Sequence, residues 1–190
     1  MNRLFCVFAA FFLLMLSGCE TPTRMSFLQP VMDSKQSPAA DSGYVTGMFS
    51  RDWGPGRMEF ALGIVNTATG KEYVMPFGVE TLLPSSVSNQ MTMIQLPPGE
   101  YKVAYWLDYS TRDRQQLAGA DMPSGSMENT AFKLASGAVV FMGGYAARNS
   151  SGNTWSVHYQ RVTPQSVQKA LANSYPLFLK QPLSCLNCLQ

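Results

Sequence analysis

From Gly43 to Gln160 apolar side chains return at every second position in short runs, and turn-forming residues separate the runs. That period belongs to strands, because successive side chains of a strand point to opposite faces. Residues 44–50 form the first candidate. In residues 58–66, Phe60, Leu62 and Ile64 alternate with Glu59, Ala61 and Gly63. Thr67-Ala68-Thr69-Gly70 is a turn, and residues 71–77 return from it as the second arm of a hairpin. Residues 90–96, 101–109, 130–135, 138–147 and 154–160 complete the set, with Pro97-Pro98-Gly99-Glu100 and Ser136-Gly137 as further turns. Proline presets φ and glycine accepts positive φ, which suits both types of turn. About eight strands joined this tightly predict a mainly β fold, an antiparallel β-sandwich occupying residues 43–162.

One helix is expected after the strands. Thr163 can cap free amides, Pro164 is tolerated at the first helical position, and Val167, Ala170, Leu171 and Tyr175 recur at helical spacing. Pro176 ends the helix. About 12 residues of helix are marginal alone, so this one must pack on the sandwich. Residues 163–184 are therefore read as helix and extension, and residues 185–190 as a tail. No internal repeat is present.

The start of the chain has a different character. Met1-Asn2-Arg3 is basic, and Leu4 to Leu16 runs for 13 residues without a polar side chain. That length suits an export signal and falls short of the roughly 20 residues a membrane span needs. Leu16-Ser17-Gly18-Cys19 follows, and here the sequence resembles a bacterial lipoprotein. The resemblance implies cleavage between Gly18 and Cys19, lipidation of Cys19 and acylation of its new amino group. Residues 1–18 would then be the signal. More than one acyl chain makes a stable anchor. The residue after Cys19 is Glu20, not the aspartate that commonly retains such proteins in the inner membrane. The implied place is the outer membrane of a Gram-negative bacterium. Residues 19–42, with Pro22, Pro30 and Pro38 among polar residues, read as a lipidated cysteine and a tether of about 25 Å. Met25, Phe27, Leu28, Val31 and Met32 are unusually apolar for a tether and offer docking to the domain or the lipid instead.

The segment Ile94-Gln95-Leu96-Pro97-Pro98-Gly99-Glu100-Tyr101-Lys102-Val103 carries a second resemblance. It is similar to the strand, Pro-Gly turn, Tyr-x-Val strand hairpin of transthyretin-like and carboxypeptidase-regulatory-like sandwich domains. Over about ten residues this supports a fold and implies no activity.

No catalytic constellation stands out. His158 is the single histidine, so any Ser/His or Cys/His mechanism must use it. It shares a strand face with Thr154, Ser156 and Gln160, which reads as solvated, and no G-x-S-x-G elbow accompanies it. No carboxylate pair is placed by local spacing for glycoside hydrolysis. Gly143-Gly144 sits in a strand pattern and marks a bulge instead of a phosphate loop. Charged residues are 14% of the chain, against about 25% in typical globular proteins, and the net charge is +2. Arg3 is the only charge among residues 1–18, so the rest is formally +1. A nucleic-acid partner finds no electrostatic footprint here.

Cys185 and Cys188 leave three readings open: a local disulfide favoured by an oxidising envelope, a metal or thiol-redox role, or pairing with another chain. A structural zinc would need two more ligands, and there is no second C-x-x-C. Met91 and Met93 share a strand face, as a soft copper site would require and as ordinary core packing also explains. Among the aromatic residues, Trp53 lies in a turn-rich loop between Arg51 and Arg57. In residues 101–109, Tyr101, Val103, Tyr105, Leu107 and Tyr109 share one face and Trp106 shares the other with Asp108. An exposed Trp53, Trp106 or Trp155 beside hydrogen-bonding groups would suit a sugar ring, whereas burial of both faces would remove that use. Residues 110–129 form a long polar connection. These features imply an envelope lipoprotein, held to the membrane by lipid, that binds an envelope protein or glycan partner or supports an assembly without catalysis, metal or cofactor. A glycan-binding module and a C-x-x-C redox or metal protein are the alternatives.

Overall fold

The computed structural model describes residues 23–78, 83–122, 130–151 and 154–189. Ten strands occur among them: β1 (Gly43–Gly54), β2 (Met58–Asn66), β3 (Glu72–Pro76), β4 (Ser85–Leu96), β5 (Gly99–Ser110), β6 (Gln116–Asp121), β7 (Ala131–Leu134), β8 (Val139–Ser151), β9 (Thr154–Gln160) and β10 (Leu183–Cys185). The helix α1 spans Pro164–Ser174, and 3-10 turns lie at Arg24–Phe27 and Pro176–Phe178. The Thr163 hydroxyl caps α1 by accepting from the Ser166 N–H at 3.2 Å.

The strands form a β-sandwich of two five-stranded sheets. In the first sheet β3, β2 and β5 lie in that order, and the far side of β5 is shared by β7 along Gly99–Lys102 and β6 along Tyr105–Tyr109. The second sheet repeats the plan. There β4, β1 and β8 are consecutive, and the far side of β8 is shared by β10 and β9.

The sheets are mixed, where tight turns between consecutive strands predict antiparallel pairing throughout. β8 runs parallel to β1, and β10 parallel to β8. The reason is that several tight turns join strands of different sheets. Pro97-Pro98 links β4 in the second sheet to β5 in the first, so the strands flanking that turn do not pair with each other. The Ser136-Gly137 turn likewise carries the chain from β7 to β8, across the sandwich. A tight turn reverses the chain whether the next strand lies beside the last or opposite it. Only the β2–β3, β5–β6 and β8–β9 connections make antiparallel hairpins.

Between the sheets Val45, Phe49, Phe60, Leu62, Ile64, Tyr101, Val140 and Tyr145 are almost wholly buried. Aromatic rings dominate the contact, with Phe49 stacked on Phe77 at 4.9 Å and Phe60 edge-on to Trp155 at 5.3 Å. Two bulges set the faces. In β8 the pairing with β1 shifts between Thr46 and Met48, beside Gly143 at φ +147°, a backbone conformation natural to glycine. In β5 the pairing passes from Val103 to Tyr105 while β2 passes from Ile64 to Gly63, leaving Ala104 unpaired.

Both outer faces are covered by the chain's own segments. α1 places Val167 and Leu171 over Tyr44, Met48, Met91 and Phe141 of the second sheet. Tyr175 follows, its hydroxyl accepting from the Met93 N–H at 3.1 Å. Residues 24–28 lie on the first sheet, with Met25 buried against Ala61, Val74, Tyr105, Leu107 and Tyr109. The Arg24 guanidinium stands 3.9 Å over the Tyr105 ring. The same segment then joins two sheet edges: the Gln29 N–H donates to the Val74 carbonyl of β3 at 2.8 Å, and the Met32 N–H to the Met93 carbonyl of β4 at 2.9 Å. Residues 24–32 thus dock on the domain, where their prolines and polar residues lead one to expect a tether.

Candidate functional site

The helix covers only part of the second sheet. Past Met48 on β1 and before Met91 on β4 the outer face opens into a cleft of about 310 Å3. Ser50, Asp52, Ser88, Arg148, His158 and Gln160 line it, drawn from β1, β4, β8 and β9. Strand alternation explains the composition. Phe49, Ala147 and Val157 turn into the core, so their neighbours Ser50, Arg148 and His158 face out. Register brings the side chains together across the sheet, with Ser50 opposite Ala146 and Ala146 opposite His158.

Ser50 organises one side of the cleft. Its hydroxyl accepts from the Asn89 N–H at 3.0 Å and lies 3.5 Å from Gln160 Oε1. Asn89 adopts φ +49°, which an asparagine tolerates better than most residues. Beneath the cleft Arg51 turns inward and is only 4% exposed. Its guanidinium donates to the Met58 carbonyl at 2.6 Å and to the Ser85 carbonyl at 3.1 Å, so it clamps the ends of β1, β2 and β4. Burial lowers the Arg51 pKa, and the nearby Glu59 charge works in the opposite direction.

The chemistry available in the cleft is hydrogen bonding and charge. His158 Nε2 lies 2.9 Å from Ser156 Oγ, but these are exposed neighbours on one strand. No carboxylate among the described residues is bonded to the imidazole to orient it as a base. Among the described residues no cluster of histidine, cysteine, aspartate or glutamate could hold a metal ion.

The other candidates fall in separate places. Gly18 and Cys19 lie outside the described residues. Trp53 is 69% exposed at the end of β1. Trp106 is buried between the sheets, 6.2 Å from Phe60, because the unpaired Ala104 reverses the faces of β5. Tyr105, Leu107 and Tyr109 consequently face outward, beneath the Met25 segment. Trp155 is also buried, and its ring lies so close to Gly54 that a Cβ there would stand 2.8 Å from it. The sugar platform expected of Trp106 and Trp155 is therefore withdrawn, and Trp53 is left. Met91 and Met93 belong to the apolar cluster under α1.

Cys185 and Cys188 form a disulfide with Cα atoms 5.7 Å apart. They are woven into the second sheet instead of trailing as a tail. Cys185 pairs beside Phe141, Cys188 bridges to Val162, and the Asn187 amide donates to the Met142 carbonyl at 3.1 Å. Tyr159 donates its hydroxyl to the Asn187 carbonyl. The long polar connection after Ser110 contains β6, whose six residues are all exposed. Sequence reasoning singled out His158 in the cleft but missed Asp52, Ser88 and Arg148. Their signal is position opposite a core residue on a strand, and many solvated residues share it.

No helix among the described residues is long and apolar enough to cross a membrane. No family model matches the chain, and no curated protein matches it. Among solved structures, a crystal structure of a leucine-rich repeat protein from Bacteroides thetaiotaomicron VPI-5482 aligns with 58% of this chain at 14% identity and a TM-score of 0.37. The alignment spans 12% of that protein's chain. A likeness this distant carries no argument about function.

Proposed function

We propose that this protein is a lipid-anchored envelope protein of the outer membrane that binds a partner and performs no catalysis. The anchor would be Cys19, following the lipobox reading of Leu16-Ser17-Gly18-Cys19. One observation supports binding above the alternatives: α1 and residues 24–28 cover much of the sandwich's outer faces, and a polar cleft from four strands stays open. Such a site is largely preformed, because its residues stand on paired strands and not on a loop.

Crosslinking in intact cells tests this reading. A photoreactive side chain at His158 or Gln160 is expected to capture a defined envelope partner. One at Gln168, on the exposed side of α1, serves as the control. Equal, diffuse capture from all three positions would sink the cleft as the binding site. Membrane retention of a Cys19→Ala variant, unchanged from the parent, would sink the anchor.

The glycan reading keeps one supporting observation, the exposed ring of Trp53. It is tested by glycan-array binding of the parent and Trp53→Ala. The thiol-redox reading draws less support. Cys185 lies in a strand, without the helix N-terminus that lowers a catalytic thiol's pKa.

A further inference from the structure

One end of the sandwich gathers an exposed aromatic ring, an exposed leucine and four arginines. Trp53 is 69% exposed and Leu83 is 75% exposed. The pairing of Gly54 with Ser85 brings their segments together. The turn after β1 carries Arg57, and the turn after β5 carries Arg112 and Arg114. A hydrogen bond from the Thr111 N–H to the Arg57 carbonyl at 2.8 Å joins these two turns. Arg148, on the rim of the cleft, lies toward the same end of β8. Among the described residues these four exposed arginines face only two exposed aspartates, Asp52 and Asp113. Hydrogen bonds from Ser110 and Gln115 lower the Asp113 pKa, and among the described residues four exposed cations stand here against two exposed anions.

Backbone geometry gives a second, independent observation. Arg57 has φ +60° and Arg114 has φ +56°. Glycine occupies such turn positions without steric penalty, and a long cationic side chain does not. Two arginines are held at these positions, on adjacent turns of the same end. The opposite end is built from Thr67-Ala68-Thr69-Gly70, Pro97-Pro98 and Ala135-Ser136-Gly137, which contain no aromatic residue. Leu177 and Leu179 beside α1 are also exposed, but they lack the ring and the arginines.

We infer that this end is a contact surface for an anionic lipid headgroup layer. Tryptophan and arginine suit that layer, the first by its amphipathic ring and the second by its charge. The chain length agrees. From Cys19 to Arg24 the backbone reaches at most about 18 Å. Arg24 docks over Tyr105, and the end of β5 lies five residues beyond, about 17 Å along the strand. Reach alone admits either end of the sandwich, and the side chains select this one. The contact is weak alone and becomes effective because the anchor holds the domain beside the bilayer. In that respect the inference rests on the lipoprotein reading.

The test separates the two. The polypeptide from Glu20 to Gln190 holds every described residue and carries no lipid, so its behaviour is independent of the anchor. It is mixed with excess phosphatidylcholine vesicles, with or without 40% phosphatidylglycerol (about two lipids in five, enough to give a strongly anionic surface). Trp106 and Trp155 are buried, so acrylamide quenching reports on Trp53. Anionic vesicles are expected to reduce that quenching at least twofold, neutral vesicles to leave it unchanged, and salt to reverse the effect. Arg57→Glu with Arg114→Glu should abolish the protection, while thermal unfolding confirms that the variant is folded. Unchanged quenching on anionic vesicles would overturn the inference. So would protection that appears only with whole envelope extract, which would point to a protein or glycan partner at this end.

Discussion

Asp108 sits on the inner face of β5, where it is 3% exposed and its Oδ1 has no hydrogen-bond partner. Burial raises its pKa, and a hydrogen bond donated by the Ala118 N–H offsets part of the effect. The sign of the linkage follows. Below the ordinary carboxylate range both folded and unfolded chains hold the proton, and the residue is neutral to stability. As pH rises the unfolded chain releases its proton first, so stability falls through the window up to the raised folded pKa. Asp108→Asn removes the titration and keeps an acceptor for Ala118. The variant is expected to gain on the order of 1 kcal/mol at pH 7, or about 3 °C in Tm, and to lose that advantage as pH drops below about 4. Tm measured against pH checks this, and a parallel pair of curves would refute it. The neighbouring Ala104 shows why such a burial escapes a sequence reading. Strict alternation puts Tyr101 and Tyr105 on one face, but a bulge adds one residue and moves Trp106 and Asp108 into the core. A single unpaired alanine leaves no pattern in composition.

At the scale of elements, alternation was strong enough to reveal the long strands, and the capped start of α1 was legible in Thr163-Pro164. Thr163→Ala removes an acceptor from a free helix amide and is expected to cost about 1 kcal/mol, measured by urea unfolding. β6 and β10 were not legible. Gln116-Leu117-Ala118-Gly119-Ala120-Asp121 buries no side chain and contains residues that strands disfavour, so its pairing with β5 comes from tertiary context. Leu183-Ser184-Cys185 is too short to show a period, yet it pairs with β8. The C-terminal segment is therefore held by hydrogen bonds along residues 183–189 as well as by the Cys185–Cys188 disulfide. A loop this short constrains the unfolded chain little, and Cys185→Ser with Cys188→Ser is expected to cost about 2 kcal/mol or less. Thermal unfolding should stay cooperative. Loss of the fold in that double variant would show that the disulfide, and not strand pairing, holds the segment.

Segments that precede β1 and follow β9, residues 24–32 and 164–189, pack back on the sandwich. β1 pairs with β4 and with β8, partners distant in sequence, so the sheets assemble only after long loops have closed. Once formed, the sandwich has two exposed edges on one side, β3 and β4, and unpaired edges invite association with other chains. Residues 28–32 cross from one of these edges to the other, and residues 24–28 cover the first sheet beside them. Prolines and polar residues suggested a tether here. The five apolar residues spaced through the segment were the contrary signal, and burial of Met25 and Met32 is what they accomplish. Each buried methionine contributes about 1.5–3 kcal/mol, so the two together contribute about 3–6 kcal/mol. Domains of this kind are stable by only about 5–15 kcal/mol. A chain that begins at Asp41 should therefore be marginal, with Tyr105, Leu107 and Tyr109 uncovered and two edges free. It is expected to unfold at least 10 °C below the chain that begins at Glu20 and to elute as oligomers in size-exclusion chromatography. Met25→Ala in the longer chain separates the two effects: stability should fall while the edges stay bridged and the protein stays monomeric. A truncated chain that is monomeric and equally stable would mean that residues 24–32 rest on the sandwich without holding it closed.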